Sequence, residues 1–231
     1  MRTKFDSNDK IGAIVAMFTG ASDIFYNYNI DFCCGGHRQL KEAILEQKLD
    51  ESKILEALNS GYAEFDINNN KFIDWAKETP EKLIDHVLST HHAFLRDELP
   101  KLSDYTFKIM KVHGKNHIEL FKVHRLFNNL ITELEEHLVK EEEFVFPLIK
   151  QYKETKTPEL KDEIMKLVNE LEHEHVGAGD ILKELRELTN HYSVPEDACK
   201  TFEITYNKLK EVEMDLFNHI HLENNILFKN L

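Results

Sequence analysis

The chain has 231 residues and a formal net charge of −13, so it carries no basic face of the kind that neutralises nucleic-acid phosphates. Its three cysteines are too few for a disulfide framework and fit a reducing compartment. No apolar run approaches the roughly 18 residues that span a bilayer, so the expectation is a soluble, cytoplasmic protein with no nucleic-acid or membrane partner.

The N-terminal stretch MRTKFDSNDKIGAIVAMFTG lacks a clean basic segment and a small-residue cleavage site, and reads as an ordinary helix. Ile11, Ile14, Val15 and Phe18 supply its apolar face. The turn-rich NIDFCCGG follows, with Cys33 and Cys34 side by side. Consecutive Cα atoms sit about 3.8 Å apart, below the span of an unstrained disulfide, so these are working thiols or simply small residues in a glycine-rich turn. A second helix from about Arg38 and a third from about Glu51 complete a small helical module over 1–65. The polar run DINNNK opens a linker over 66–78.

From Thr79 as N-cap, with Pro80 at the first helical position, long helical periodicity begins. It breaks around Gly114, at KETKTPEL and at SVPED, and otherwise continues to about Tyr152, about Tyr192 and the end. Glycine and proline are scarce and strand-like alternation is absent, so the chain is all-α. Four long helices with short connections predict an up-down-up-down four-helix bundle over 79–231.

Two of these helices carry His-x-x-x-Glu: His137 with Glu141, and His219 with Glu223. Four residues turn a helix through about 400°, so each pair shares one face. Imidazole and carboxylate pairs on two helices suit a dinuclear metal site in which each carboxylate bridges. The first helix offers His91 or His92, and the third His173 or His175. His92 and His175 are chosen, the latter partly because the small residues of VGAGD leave room beside it. The set gives four imidazoles and two bridging glutamates, with positions left for a small ligand.

A single His-x-x-x-Glu is a common helical surface pair, and it is the repetition that points to metal. His113 and His117 are the strongest competitors, but Gly114 lies between them, and they read as loop or supporting residues. His86, His124, His191 and His221 read as surface or hydrogen-bonded core residues. The glutamates after Glu141 in the EEE run read as solvated face.

The stretches DFCCGG, LIDHVLSTHH, HLVKEEEFVFPLI, EHEHVGAGD and HIHLENNILF together resemble the di-iron repair-of-iron-centres (RIC) family, iron-sulfur cluster repair proteins with a CCGG module and a hemerythrin-like domain. The resemblance covers nearly the whole chain. It implies iron ligands at His92, His137, Glu141, His175, His219 and Glu223, holding two iron ions in a non-haem, oxo- or hydroxo-bridged centre. It also implies a role in restoring clusters damaged by nitric oxide or oxidative stress. Its partners would be damaged or apo iron-sulfur proteins, NO, O₂ or peroxide, and an unidentified reductant, with the chain acting alone or as a homodimer. Cys33 and Cys34 would serve a thiol transfer step, with main-chain N–H groups of Gly35 and Gly36 favouring thiolate.

The site is richer in histidine than ferritin-like carboxylate centres, which favours small-ligand binding over iron mineralisation. Two rival readings stay open: an NO or peroxide reductase at the same centre, and an O₂ or NO carrier or sensor. His37 either handles metal beside the glycines or caps the next helix.

Overall fold

The computed structural model describes residues 5–68 and 73–231. Among the described residues regular structure is helical, apart from one antiparallel bridge between Lys10 and Gln39. In chain order the helices are α1 (Ile11–Met17), α2 (Ala21–Asn27), α3 (Leu40–Gln47), α4 (Glu51–Asn68), α5 (Pro80–His86), α6 (Ala93–His113), α7 (Glu119–Lys140), α8 (Phe146–Thr155), α9 (Pro158–Leu188) and α10 (Lys200–Leu222). A π turn, Val87–His92, joins α5 to α6; a second, Glu141–Val145, joins α7 to α8; a third, Glu223–Leu227, follows α10.

The chain forms two compact units, Met1–Leu83 with Phe217–Leu231, and Ile84–Leu216. The first gathers α1 to α4 around Ile11, Ile14, Val15, Phe25, Leu40, Ile54 and Leu58, together with Ile226 and Leu227 from the C-terminal segment. Helix α1 starts without a side-chain cap. Its orphan first-turn donors are met instead by the backbone beyond the cysteines, Ile11 N–H to Arg38 O at 3.0 Å and Gly12 N–H to Gly36 O at 2.8 Å. Asp50 caps α4 by accepting from Ser52 and Lys53 N–H at 3.1 and 3.4 Å. That helix runs on to Asn68, so the first residues of DINNNK are helical; 69–72, the middle of the expected linker, lie outside the described residues.

The second unit is the helical bundle. Its core is an apolar stripe repeated on each helix, including Leu99 and Leu102 of α6, Val123, Phe127 and Leu130 of α7, Val168 and Leu171 of α9, and Tyr206, Leu209 and Val212 of α10. Thr79 Oγ1 accepts from Lys82 N–H at 3.4 Å, the expected cap of α5. Helix α9 stops at Leu188 rather than near Tyr192, because Asn190, His191 and Tyr192 all take left-handed backbone, with φ of 47°, 58° and 59°. The core also holds a buried Arg–Glu pair: Arg186 Nε donates to Glu213 Oε1 and Oε2 at 3.0 and 3.2 Å.

Candidate metal centre

Each π turn coincides with an expected ligand. His92 closes the first, Glu141 opens the second and Glu223 opens the third. Such turns are rare, strained departures from α geometry that recur at functional sites. Helix α9, which supplies His175, is α-helical throughout.

In the bundle unit four of the expected residues come together. Glu141 is fully buried, with Oε2 3.2 Å from His92 Nε2 and Oε1 3.3 Å from His137 Nε2. His175 Nε2 lies 3.1 Å from His137 Nε2, and ligand-type atoms of His137, Glu141 and His175 are all within 4.8 Å of one another. Two imidazole nitrogens aimed at each other beside a buried carboxylate are a donor set suited to a cation.

The far nitrogens are pinned. His92 Nδ1 lies 2.7 Å from Glu142 Oε1, and Arg96 holds the other oxygen of Glu142 at 2.9 Å. His137 Nδ1 lies 2.9 Å from Glu174 Oε2, whose second oxygen is paired with Lys140. An imidazole that donates through Nδ1 to a carboxylate keeps its Nε2 lone pair free for metal and becomes a better ligand. Charge follows the geometry. The His137 hydrogen bond, with Lys140, outweighs burial and holds the Glu174 carboxyl at about 2. Burial pushes Glu142 up, but His92 and Arg96 leave it below the usual range.

Glu142 therefore corrects the reading of the EEE run as solvated face: it holds a candidate ligand in place. Glu174 was also missed. Both neighbour a ligand in sequence, so helical phase alone points them away from it, and only the length of a glutamate side chain lets them reach a neighbouring helix.

In the other unit His219 and Glu223 form their expected pair, His219 Nε2 to Glu223 Oε1 at 3.1 Å, both fully buried. The same unit holds the thiols. Cys33 Sγ donates to Asp31 Oδ1 at 3.3 Å and lies 3.9 Å from Cys34 Sγ; ligand-type atoms of these three residues fall within 4.8 Å. Both cysteines are free. The expectation that glycine N–H groups favour thiolate fails at Cys33. Gly35 N–H donates to Asp31 Oδ1 at 3.0 Å instead. The Cys34 hydrogen bond, burial and the negative Asp31 together push the Cys33 thiol well up. His37 Nδ1 lies 3.2 Å from Cys34 O and so braces the turn.

Six further histidines find other partners. His91 is buried with Nδ1 2.9 Å from Asp215 Oδ1, and His173 turns outward with Nδ1 2.6 Å from Asn169 O. His113 Nε2 lies 3.2 Å from Cys199 Sγ, and His117 Nε2 2.9 Å from Asp197 Oδ1. His124 Nδ1 lies 2.9 Å from Thr106 Oγ1. His221 is buried near the carbonyl of Phe32, and burial pulls its pKa down to about 4.

A helical bundle that buries imidazoles around a shared carboxylate defines a hemerythrin-type cation-binding domain, and the Hemerythrin HHE cation binding domain matches residues 83–231. The ScdA_N domain (DUF542), described as of unknown function, matches residues 7–62. The chain is 34% identical over 226 residues to the iron-sulfur cluster repair protein ScdA of Staphylococcus haemolyticus, covering 96% of this chain and 97% of the relative. It is 33% identical over 224 residues to a probable iron-sulfur cluster repair protein of Haemophilus influenzae, with 96% of each covered. Against the iron-sulfur cluster repair protein YtfE of Escherichia coli O157:H7 it is 33% identical over 218 residues, 94% of each. The chain belongs to this ScdA/YtfE family of iron-sulfur cluster repair proteins. Among the described residues no helix is long and apolar enough to cross a membrane.

Proposed function

We propose that this protein repairs iron-sulfur clusters damaged by nitric oxide or oxidants, in the cytoplasm, through a non-haem di-iron centre held by His92, His137, Glu141, His175, His219 and Glu223. The observation that carries the reading is Glu141: each of its oxygens faces a different imidazole, and each of those imidazoles is fixed from behind by its own carboxylate. A carboxylate so placed is fitted to be shared by two cations. In this reading the four imidazoles and the two carboxylates would together hold the iron pair.

Two facts support adding His219 and Glu223 to the four residues of the bundle unit. They form a fully buried pair, His219 Nε2 to Glu223 Oε1 at 3.1 Å. They also repeat, on another helix, the His-x-x-x-Glu spacing of His137 and Glu141. The division into a module over 1–65, a linker over 66–78 and a bundle over 79–231 belongs to the same proposal, and the matched stretches 7–62 and 83–231 fall inside the two larger parts.

When bound, the iron pair supplies open coordination positions for NO, O₂ or peroxide and a change of redox state that alters how firmly iron is held. The chain's own residues do the rest. Glu142 and Glu174 keep protons on the Nδ1 atoms of His92 and His137, which fixes the tautomer and aims both Nε2 atoms. Burial of the ligands excludes bulk water. The Cys34 hydrogen bond, burial and Asp31 favour the thiol form of Cys33, so it becomes a ligand or nucleophile when a bound cation or an acceptor takes up the role of the proton. The clients are iron-sulfur proteins with damaged or incomplete clusters, and a reductant is required to cycle the iron.

Iron content and Mössbauer spectra of anaerobically iron-loaded protein test the centre. About two irons per chain are expected for the wild-type protein, with loss in Glu141→Ala and Glu223→Ala. Zinc or no metal in the iron-supplied protein overturns it. Incubation with an NO-damaged [4Fe–4S] protein then tests the role. Stoichiometric transfer of iron with recovery of the cluster supports repair by donation, whereas catalytic NO consumption with a reductant makes the centre a reductase.

A further inference from the structure

Within the first unit the thiol turn meets the C-terminal segment through Phe217, His221 and Asn225, and of these Asn225 holds the carbonyl of Cys33 itself. Asn225 sits in the π turn that opens with Glu223. Its Nδ2 donates to Cys33 O at 2.8 Å and to Phe32 O at 3.3 Å, and lies 3.3 Å from His221 Nδ1. Its Oδ1 accepts from Lys229 Nζ at 3.0 Å.

The backbone around this amide has been cleared for it. A Cβ built on Gly36 would stand 2.4 Å from Asn225 Oδ1 and 2.6 Å from its Nδ2; one built on Gly12 would stand 2.6 Å from Oδ1. Neither glycine has positive φ, so what they provide is close approach rather than an unusual backbone conformation. Gly12 N–H bonds Gly36 O, so α1, the CCGG turn and the amide form one layer.

We infer that Asn225 is a positioning residue: a latch that fixes the Cys33 main chain to the helical turn carrying Glu223, so that the thiols and this metal-ligand turn open and close together. The part of this inference that concerns iron rests on the di-iron reading above. Binding a cation at Glu223 orders the turn, and the latch passes that order to the thiol turn. Coupling between two sites is reciprocal, so an undisturbed thiol turn also strengthens the hold on iron. Release of the latch is what exposes the buried Cys33 to a client or a small electrophile. The arrangement gives the module a means of reporting iron occupancy to its thiols without a direct thiol–metal bond.

The test is anaerobic alkylation by iodoacetamide of the full chain, apo and iron-loaded, with each cysteine followed by mass spectrometry. Exposed Cys199 serves as the internal reference. Asn225→Asp turns a donor to Cys33 O into an acceptor, Asn225→Leu removes the hydrogen bonds at similar size, and Gly36→Ala fills the space. In the apo protein each variant should speed Cys33 alkylation relative to Cys199 by about tenfold, the effect of losing one or two ordinary hydrogen bonds on a local opening equilibrium. In the wild-type protein iron should slow Cys33 alkylation by about fivefold or more, a typical coupling, and the variants should lose that dependence while keeping iron and helical content.

Apo rates within about twofold of wild type in all three variants overturn the latch, since lost hydrogen bonds should register as faster local opening. So does iron-dependent protection that persists unchanged in variants shown to hold iron. If the wild-type protein takes up no iron, the di-iron reading falls, and the apo rates still decide the latch.

Discussion

The bundle unit has two histidine clusters that both face carboxylates and differ in burial. His92, His137 and His175 are buried; the ring nitrogens of His92 and His137 face Glu141, Glu142 and Glu174, and His175 Nε2 faces His137. His113 and His117, spaced i to i+4 like a ligand pair, sit at the α6–α7 corner and face Cys199 and Asp197 from the start of α10. Asp197 is 54% exposed, whereas Glu141 is wholly buried. In water an imidazole and a carboxylate make a weak, screened ion pair. Out of water the same two groups are costly unless a cation or a full set of hydrogen bonds compensates them. Burial, not spacing, separates a candidate metal centre from a surface clasp.

The largest effect should come from Glu141. Glu141→Ala should remove most of the iron that the wild-type protein binds, whereas His113→Ala and His117→Ala should leave iron content unchanged. Metal analysis after anaerobic loading reads both. Equal losses at the two clusters would erase the distinction. Next comes a control for burial without metal. Arg186 and Glu213 are a buried pair that compensate each other, so Glu213→Ala should cost about 3–5 kcal/mol in denaturant unfolding, the penalty for stranding a buried partner, with iron stoichiometry retained in the folded fraction. A third effect is graded rather than absolute. Glu174→Gln and Glu142→Gln should weaken iron binding by about 10–100-fold, measured by competition with a chelator, because the imidazole loses its anchor but not its nitrogen.

How much of this was legible beforehand depended on the range of the interaction. Helical periodicity picked out the all-α fold, and i to i+4 spacing picked out His137 with Glu141 and His219 with Glu223, because both are set by a few consecutive residues. The choice of His92 over His91 has no such warrant in phase alone: both are buried, and what separates them is that His91 meets Asp215 on α10. Glu142 and Glu174 were illegible for the same reason, as each acts across helices. The three π turns leave no composition signal. Cys33 shows how a local rule is overridden: the Gly35 N–H expected to stabilise a thiolate is taken by Asp31, whose charge works the other way. Asn225 lies 192 residues from the carbonyl it holds, so nothing local in HIHLENNILF marks it as a partner of the cysteine turn.

The smallest effect tests the exposed cluster on its own terms. Hydrogen bonding to Asp197, helped by Glu119 and opposed by slight desolvation, raises the pKa of His117. The His117 bond in turn lowers that of Asp197 against its desolvation. A histidine with a raised folded pKa contributes its stability fully below its unfolded value of about 6.5, and loses it as pH rises through the folded value. A carboxylate with a lowered folded pKa contributes above about 3.9 and loses that contribution as pH falls through its folded value. The clasp is therefore complete between those limits and fades in alkaline solution. The melting temperature of the wild-type protein should exceed that of His117→Ala by more at pH 5.5 than at pH 8.5, and 1 M salt should shrink the difference at the lower pH. A gap independent of pH would mean that His117 acts through its ring packing on Phe202, 5.4 Å between centroids, and that the corner is held by shape rather than charge.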